Sequence, residues 1–164
     1  ISLPDSVSQI GEWAFSACSA LKNFVIPKSV TVIGVSTFAD CSSLTKIVIP
    51  NSVTSIGNWS FCKCSSLSDV SIPSSVVSIG EGAFSKCFAL TDIEIPPKVT
   101  IIRTSTFAEC SSLEVVTVPS SVTTIEDQAF AGCFSLNEIS LPRSVASIGF
   151  WAFPSNTRIT SQSQ

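Results

Sequence analysis

The apolar residues of this chain follow no single helical or strand period, but return as a block every 23 residues. In Leu44-Thr45-Lys46-Ile47-Val48-Ile49-Pro50 the first, fourth and sixth positions are apolar, and the last two are β-branched. That pattern predicts a short strand with one buried face. Proline closes the strand because it has no N–H to continue a ladder. The rest of the block reads Ser-Val-x-x-Ile-Gly-x-x-Ala-Phe-x-x-Cys, with polar residues between the apolar ones. Its anchors recur in phase: Pro4, Pro27, Pro50, Pro73, Pro96, Pro119 and Pro142; Phe15, Phe38, Phe61, Phe84, Phe107, Phe130 and Phe153; Cys18, Cys41, Cys64, Cys87, Cys110 and Cys133. A fixed period of this length marks a repeat architecture. One unit cannot bury Leu21, Phe24, Ile26, Val30, Ile33, Phe38 and Cys41 alone, so neighbouring units must stack into a continuous core. Every unit runs the same way, so the strands are parallel, and at ~4.8 Å per step seven coils span roughly 30–35 Å.

The strand segment resembles the leucine-rich repeat, L-x-x-L-x-L. The proline after the strand, the Ile-Gly step and the Ala-Phe-x-x-Cys ending narrow the resemblance to the BspA-type leucine-rich repeat family, found in surface proteins of oral and gut bacteria and of mucosal protist parasites. It covers essentially all 164 residues. The expected fold is a leucine-rich-repeat solenoid of about seven right-handed coils. One parallel β-sheet lines its concave face, and short turns or 3-10 segments lie on the convex side. Residues 1–164 read as a single repeat domain. The resemblance implies a non-enzymatic, cell-surface or secreted adhesin-like module that binds a protein or glycoprotein of the host matrix or of other cells. The shared residues are scaffold positions, so no ligand-contacting residue transfers with it.

Composition narrows the classes further. Hydrophobic residues make up 45% of the chain, yet no apolar run approaches the ~20 residues of a membrane span. The net charge of −3 and the lack of any Lys/Arg cluster argue against nucleic acid. The sequence opens in mid-strand at Ile1 and closes on Ser-Gln-Ser-Gln, with no distinct capping pattern. It reads as a fragment of a longer chain or as an uncapped unit. The latter leaves a competing class open: a structural protein that self-associates end to end into filaments or arrays.

The chemistry-bearing residues point to scaffold more than to catalysis. Six of the seven cysteines share one inward phase, which predicts a buried column of free thiols in preference to disulfides or zinc. Cys62 sits beside inward Phe61, should point outward, and is the candidate exposed thiol. The chain has no His, so its Ser and Cys residues lack the usual base; no catalytic residue, metal or cofactor is expected. Ser6, Ser29, Ser52, Ser75, Ser121 and Ser144 follow the strand-ending prolines and are placed to bond the backbone of the next coil. Arg103 and Glu126 replace the glycine of the Ile-Gly step, so φ > 0 is not mandatory there. They stack one coil apart with opposite sign, as do Asp40 with Lys63 and Lys86 with Glu109.

Two surfaces are candidate binding sites. On the exposed strand face the third and fifth unit positions vary most: Asn23, Val25, Lys46, Val48, Asp69, Ser71, Asp92, Glu94, Thr117 and Glu138. Apolar residues lie toward one end and carboxylates toward the middle, a gradient suited to an extended protein partner. On the convex side, Trp13, Trp59 and Trp151 share one position and Phe88 and Phe134 another, an alternative sticky surface. Asn58-Trp59-Ser60 is the one N-x-S/T sequon, making Asn58 a candidate glycosylation site.

Overall fold

The computed structural model describes residues 3–162. Thirteen short strands follow in chain order: β1 (Asn23–Val25), β2 (Val32–Ile33), β3 (Lys46–Val48), β4 (Ser55–Ile56), β5 (Asp69–Ser71), β6 (Ser78–Ile79), β7 (Asp92–Glu94), β8 (Ile101–Ile102), β9 (Val115–Thr117), β10 (Thr124–Ile125), β11 (Glu138–Leu141), β12 (Ser147–Ile148) and β13 (Arg158–Ser161). All pairings are parallel and most join residues 23 apart, such as Asn23 with Lys46 and Lys46 with Asp69. The chain is therefore a leucine-rich-repeat solenoid. Its principal ladder runs through β1, β3 and β5, then β7 and β9, then β11 and β13. In this ladder the middle residue of most strands is buried between two exposed ones.

A second ladder, not evident in the hydrophobic pattern, joins β2-β4-β6 and β8-β10-β12. It forms at the x-Ile step before the glycine position. Each strand is only two residues long, with its isoleucine buried in all but the last. The last coil also departs from the repeat. Glu138 pairs with Arg158, 20 residues on, where the period would place Ser161. The cause is local: Pro154-Ser155-Asn156-Thr157 leads from Phe153 to β13, where the preceding coil uses seven residues between Phe130 and β11.

Three columns hold the coils together. Seven phenylalanine rings, from Phe15 to Phe153, stack face to face with centroids 5.2–5.6 Å apart and planes within 10°. The five inner rings are fully buried. Beside them the thiols act as donors as well as fillers: Cys41, Cys64, Cys87, Cys110 and Cys133 each donate S–H to the carbonyl of the Phe 26 residues earlier, at 3.1–3.3 Å. The serine ladder exists but runs backward. Ser52, Ser75, Ser121 and Ser144 donate to the valine carbonyl 22 residues earlier at 2.7 Å, so each hydroxyl binds the preceding coil, not the following one. Lys98 interrupts it, having no hydroxyl at that position.

The turn side is built from left-handed backbone. Each regular coil has two residues at positive φ, one at the Trp13 position and one at the Ala17 position. Eleven of these residues are not glycine and two, Gly82 and Gly132, are. Many donate their N–H to a carbonyl of the next coil, as Ser36 does to Asn58, Trp59 to Glu81 and Lys63 to Ser85. Those bonds offset a strain of order 1–3 kcal/mol per residue. The glycine of the Ile-Gly step has ordinary φ, as Arg103 and Glu126 implied; at Gly57 its role is close approach, because an added Cβ would lie 2.8 Å from the Gly34 carbonyl carbon.

Emptying one ring of the stack should cost far more than trimming the strand face. Phe84→Ala is expected to destabilise by about 3–5 kcal/mol, whereas exposed Ser71→Ala should stay within about 0.5 kcal/mol of wild type. Urea denaturation of the two variants checks this; equal midpoint shifts would contradict the assignment of inward and outward phases.

Candidate functional site

Stacking at constant register turns each outward position into a straight column. On the strand face, the third-position column reads Asn23, Lys46, Asp69, Asp92, Val115, Glu138 and then Arg158; the fifth reads Val25, Val48, Ser71, Glu94, Thr117, Ser140 and Thr160. Every residue except half-buried Thr160 is exposed. The face thus brings together all ten strand-face residues singled out from the sequence, and adds Arg158, which the shortened coil slides into place. Lys46 and Asp69 form a cross-strand ion pair. Asp92 accepts only from Thr91 Oγ1 at 3.0 Å, and among the described residues neither Asp92 nor Glu94 is within 4.0 Å of a cation. Toward the first coils, Val25 and Val48 flank a shallow groove completed by Ile26, Lys28, Ile49 and Pro50.

The turn side is aromatic. Trp13, Trp59 and Trp151 are exposed at the left-handed position, and Phe88 and Phe134 beyond the cysteine column. Phe150 belongs with them: it is 76% exposed and packs against Trp151 with ring centroids 6.5 Å apart. It stands in a column otherwise occupied by Glu12, Val35, Asn58, Glu81, Thr104 and Asp127, and that break in type was the available signal. The ion pairs read from the repeat also form here: Lys63–Asp40 and Lys86–Glu109 at 3.4 Å and Arg103–Glu126 at 4.0 Å. All are exposed enough to contribute little individually. Asn58 is exposed, but its Oδ1 accepts from the Glu81 N–H, and Ser60 of the same sequon is buried with its hydroxyl unpartnered. Among the described residues no group of three or more His, Cys, Asp or Glu is placed to hold a metal.

The family model for the BspA type leucine-rich repeat region, in six copies, matches residues 1–114 and 31–160. The chain belongs to the BspA-type leucine-rich repeat family. Solved structures agree. A leucine-rich cell surface protein from Faecalibacterium prausnitzii is 34% identical with a TM-score of 0.85, over 99% of this chain and 48% of that one. A leucine-rich repeat protein of T. pallidum is 31% identical with a TM-score of 0.86, over 94% of this chain and 78% of its own. One from Bacteroides ovatus is 30% identical with a TM-score of 0.66, over 98% and 50%. The chain spans about half the length of the F. prausnitzii and B. ovatus proteins. No curated protein matches it.

In this member of the family all seven cysteines are free. Cys62 is only half-buried, though it does not stand fully clear of the turn. Cys18 is half-buried too, so two thiols and not one are reachable. Cys62 is not activated by its environment: burial pushes its thiol up, and Lys63 only partly opposes it. Burial, with the neighbouring Cys18 thiol adding to it, pushes Cys41 up to about 11, and burial raises Cys64 and Cys87 further still. At pH 8, a bulky maleimide should label Cys18 and Cys62 in the native protein and the other five thiols only after unfolding, read by mass spectrometry. The raised pKa values also set an alkaline limit. The unfolded chain releases thiol protons near 9, where the native chain holds them, so stability is complete below pH 9 and declines as pH rises toward about 11. Thermal melts across that window should show Tm falling, and Cys41→Ala should flatten part of the fall.

Proposed function

We propose that the strand face is the protein-recognition surface of an adhesin-like module, displayed at a cell surface or secreted, that takes an extended segment of a matrix or cell-surface protein or glycoprotein. One observation carries this reading. The core columns repeat almost unchanged, while the third- and fifth-position columns of the same strands run through apolar, polar, cationic and anionic residues, with Val25–Val48 and Asp69–Asp92 the identical neighbours. Packing does not require that variety, since both columns face solvent. The partner would lay apolar side chains against Val25 and Val48 and cationic ones against Asp92 and Glu94, whose carboxylates pair with no cation among the described residues. Such charges set specificity and association rate more than raw affinity. The absence of His, the usual base for a Ser or Cys nucleophile, supports a binding role over a catalytic one. The cell-surface character of the F. prausnitzii relative supports display outside the cell.

A second reading, end-to-end self-association, draws on the apolar residues the last coil exposes: Ile148, Phe150, Trp151 and Ile159. A heterologous contact of that kind generates open filaments. Sedimentation velocity separates the two: a concentration-independent monomer removes the assembly reading.

The recognition reading is tested by reversing Asp69, Asp92 and Glu94 together to Lys and measuring binding to immobilised matrix glycoproteins and to epithelial cells by surface plasmon resonance and flow cytometry. Binding is expected to fall at least roughly ten-fold with the melting curve unchanged. Undiminished binding by the charge-reversed protein, with loss instead on changing the tryptophans to Ser, would move the functional surface to the turn side.

A further inference from the structure

The tryptophan column is not used by the strand-face reading, and nothing in the core requires it. Trp13, Trp59 and Trp151 stand in the first, third and seventh coils, separated by 46 and 92 residues, always an even number of repeats. The same column carries Ser36, Gly82, Ser105 and Gln128 in the other coils. The indole of Trp59 lies against Gly82 of the next coil: a Cβ added at Gly82 would run into its Cε3 and Cζ3 atoms. Trp13 stands one coil before Ser36, which is 2% exposed, whereas Ser105, preceded by Gly82, is only half-buried. Trp59 thus leans on a small residue of the following coil, and the burial of Ser36 one coil after Trp13 fits the same arrangement. Trp13 and Trp59 remain 60% and 40% exposed. An indole held against backbone and still open on its other side is a pre-organised stacking platform, since little side-chain freedom is lost when a ligand docks.

The spacing indicates what would dock. Rings in the adjacent phenylalanine stack advance 5.4 Å per coil at this end, and two strand-to-strand steps make roughly 10 Å. An extended β-linked pyranose chain flips at each unit and presents the same C–H face every second sugar, over about that length. The neighbouring column supplies hydroxyl partners. Glu12, Asn58, Glu81 and Asp127 are exposed, and no hydrogen bond within the described residues takes the Asn58 Nδ2 group. Three of the four are carboxylates, which repel phosphate and so disfavour a stacked nucleic acid. From these observations we infer that the tryptophan column is a binding platform for a neutral, extended β-linked polysaccharide, separate from the strand face.

The chain contains three Trp and no Tyr, so its intrinsic fluorescence reports on this column alone. Two assays test the inference with the whole chain: mobility in native gels containing hydroxyethylcellulose or glycol chitin, and fluorescence titration with cellohexaose and chitohexaose. Retardation by at least one polymer is expected, with a fluorescence change on adding the matching hexasaccharide. The corresponding disaccharide, too short to reach two indoles, should bind at least roughly ten-fold more weakly. Trp13→Ser and Trp59→Ser should each weaken gel binding by roughly ten-fold. Serine already occupies this backbone position at Ser36 and Ser105, so the fold should survive, and far-UV circular dichroism checks that it does. Trp59→Phe should recover part of the loss, and Phe134→Ser, on the other aromatic column, should bind as wild type. No retardation by either polymer, wild-type retardation of the Trp13→Ser, Trp59→Ser double variant, or an equal loss in Phe134→Ser would each overturn the inference. Matrix-glycoprotein binding measured on the same variants keeps this outcome distinct from that of the strand-face reading.

Discussion

Each inner phenylalanine of the column touches a ring of the coil before and a ring of the coil after, and no coil has a core of its own. Face-to-face contact at 5.2–5.6 Å sets one translation step, and everything else in the molecule repeats at that step. Most of the serine hydroxyls, the cysteine S–H donors and the left-handed N–H groups find their acceptors one coil away. Polar groups that would be costly to bury unpaired are satisfied by that shared register, with the Ser60 hydroxyl as the exception among the described residues. A slip of one residue between two coils would turn the inward set toward solvent and break three hydrogen-bonded columns at once. Stability in such a stack is close to a sum of coil and coil–coil terms, so a local defect weakens one interface and leaves the rest in register.

Much of this was legible in the sequence, because the period carries both register and phase. The principal ladder, the inward set from Leu21 through Cys133 and the opposite-charge pairs one coil apart all follow from it. The second ladder was hidden for a physical reason. Its strands are two residues long, too short for an alternation to show, and they end on an isoleucine that also fits a turn. The left-handed positions were hidden because composition points elsewhere. The recurrent glycine marks close backbone approach, while positive φ falls on Trp13, Lys63, Lys86 and Glu109, residue types that rarely adopt it. The shortened last coil broke an extrapolation, since a period read from six copies says nothing about a seventh that skips three residues and brings Arg158 beside Glu138.

The candidate surfaces were legible as positions more than as environments. Phase placed all the strand-face residues outward, and they are outward. It did not show that Lys46 neutralises Asp69 and leaves Asp92 and Glu94 free, because which carboxylate a lysine reaches depends on side-chain direction between strands. It assigned Cys18 to the core, where the structure leaves it half-buried. It did not single out Phe150, a large aromatic in a column that carries none in the other coils.

In a molecule where nearly every position obeys a column rule, the informative residues are those that break one. A left-handed backbone position favours glycine or asparagine, and Gly82 shows that the fold accepts glycine there. Tryptophan at that position takes on backbone strain and leaves between 40% and 77% of a large apolar side chain in water, where burial would have stabilised it. Core packing gives no return for either, since the rings that stabilise the stack lie in a separate column. The pairing of Trp59 with Gly82 adds a second constraint, because only a residue without a Cβ leaves room for that indole. Local rules broken in concert, at even steps along one line, are what a functional surface on a repeat scaffold looks like.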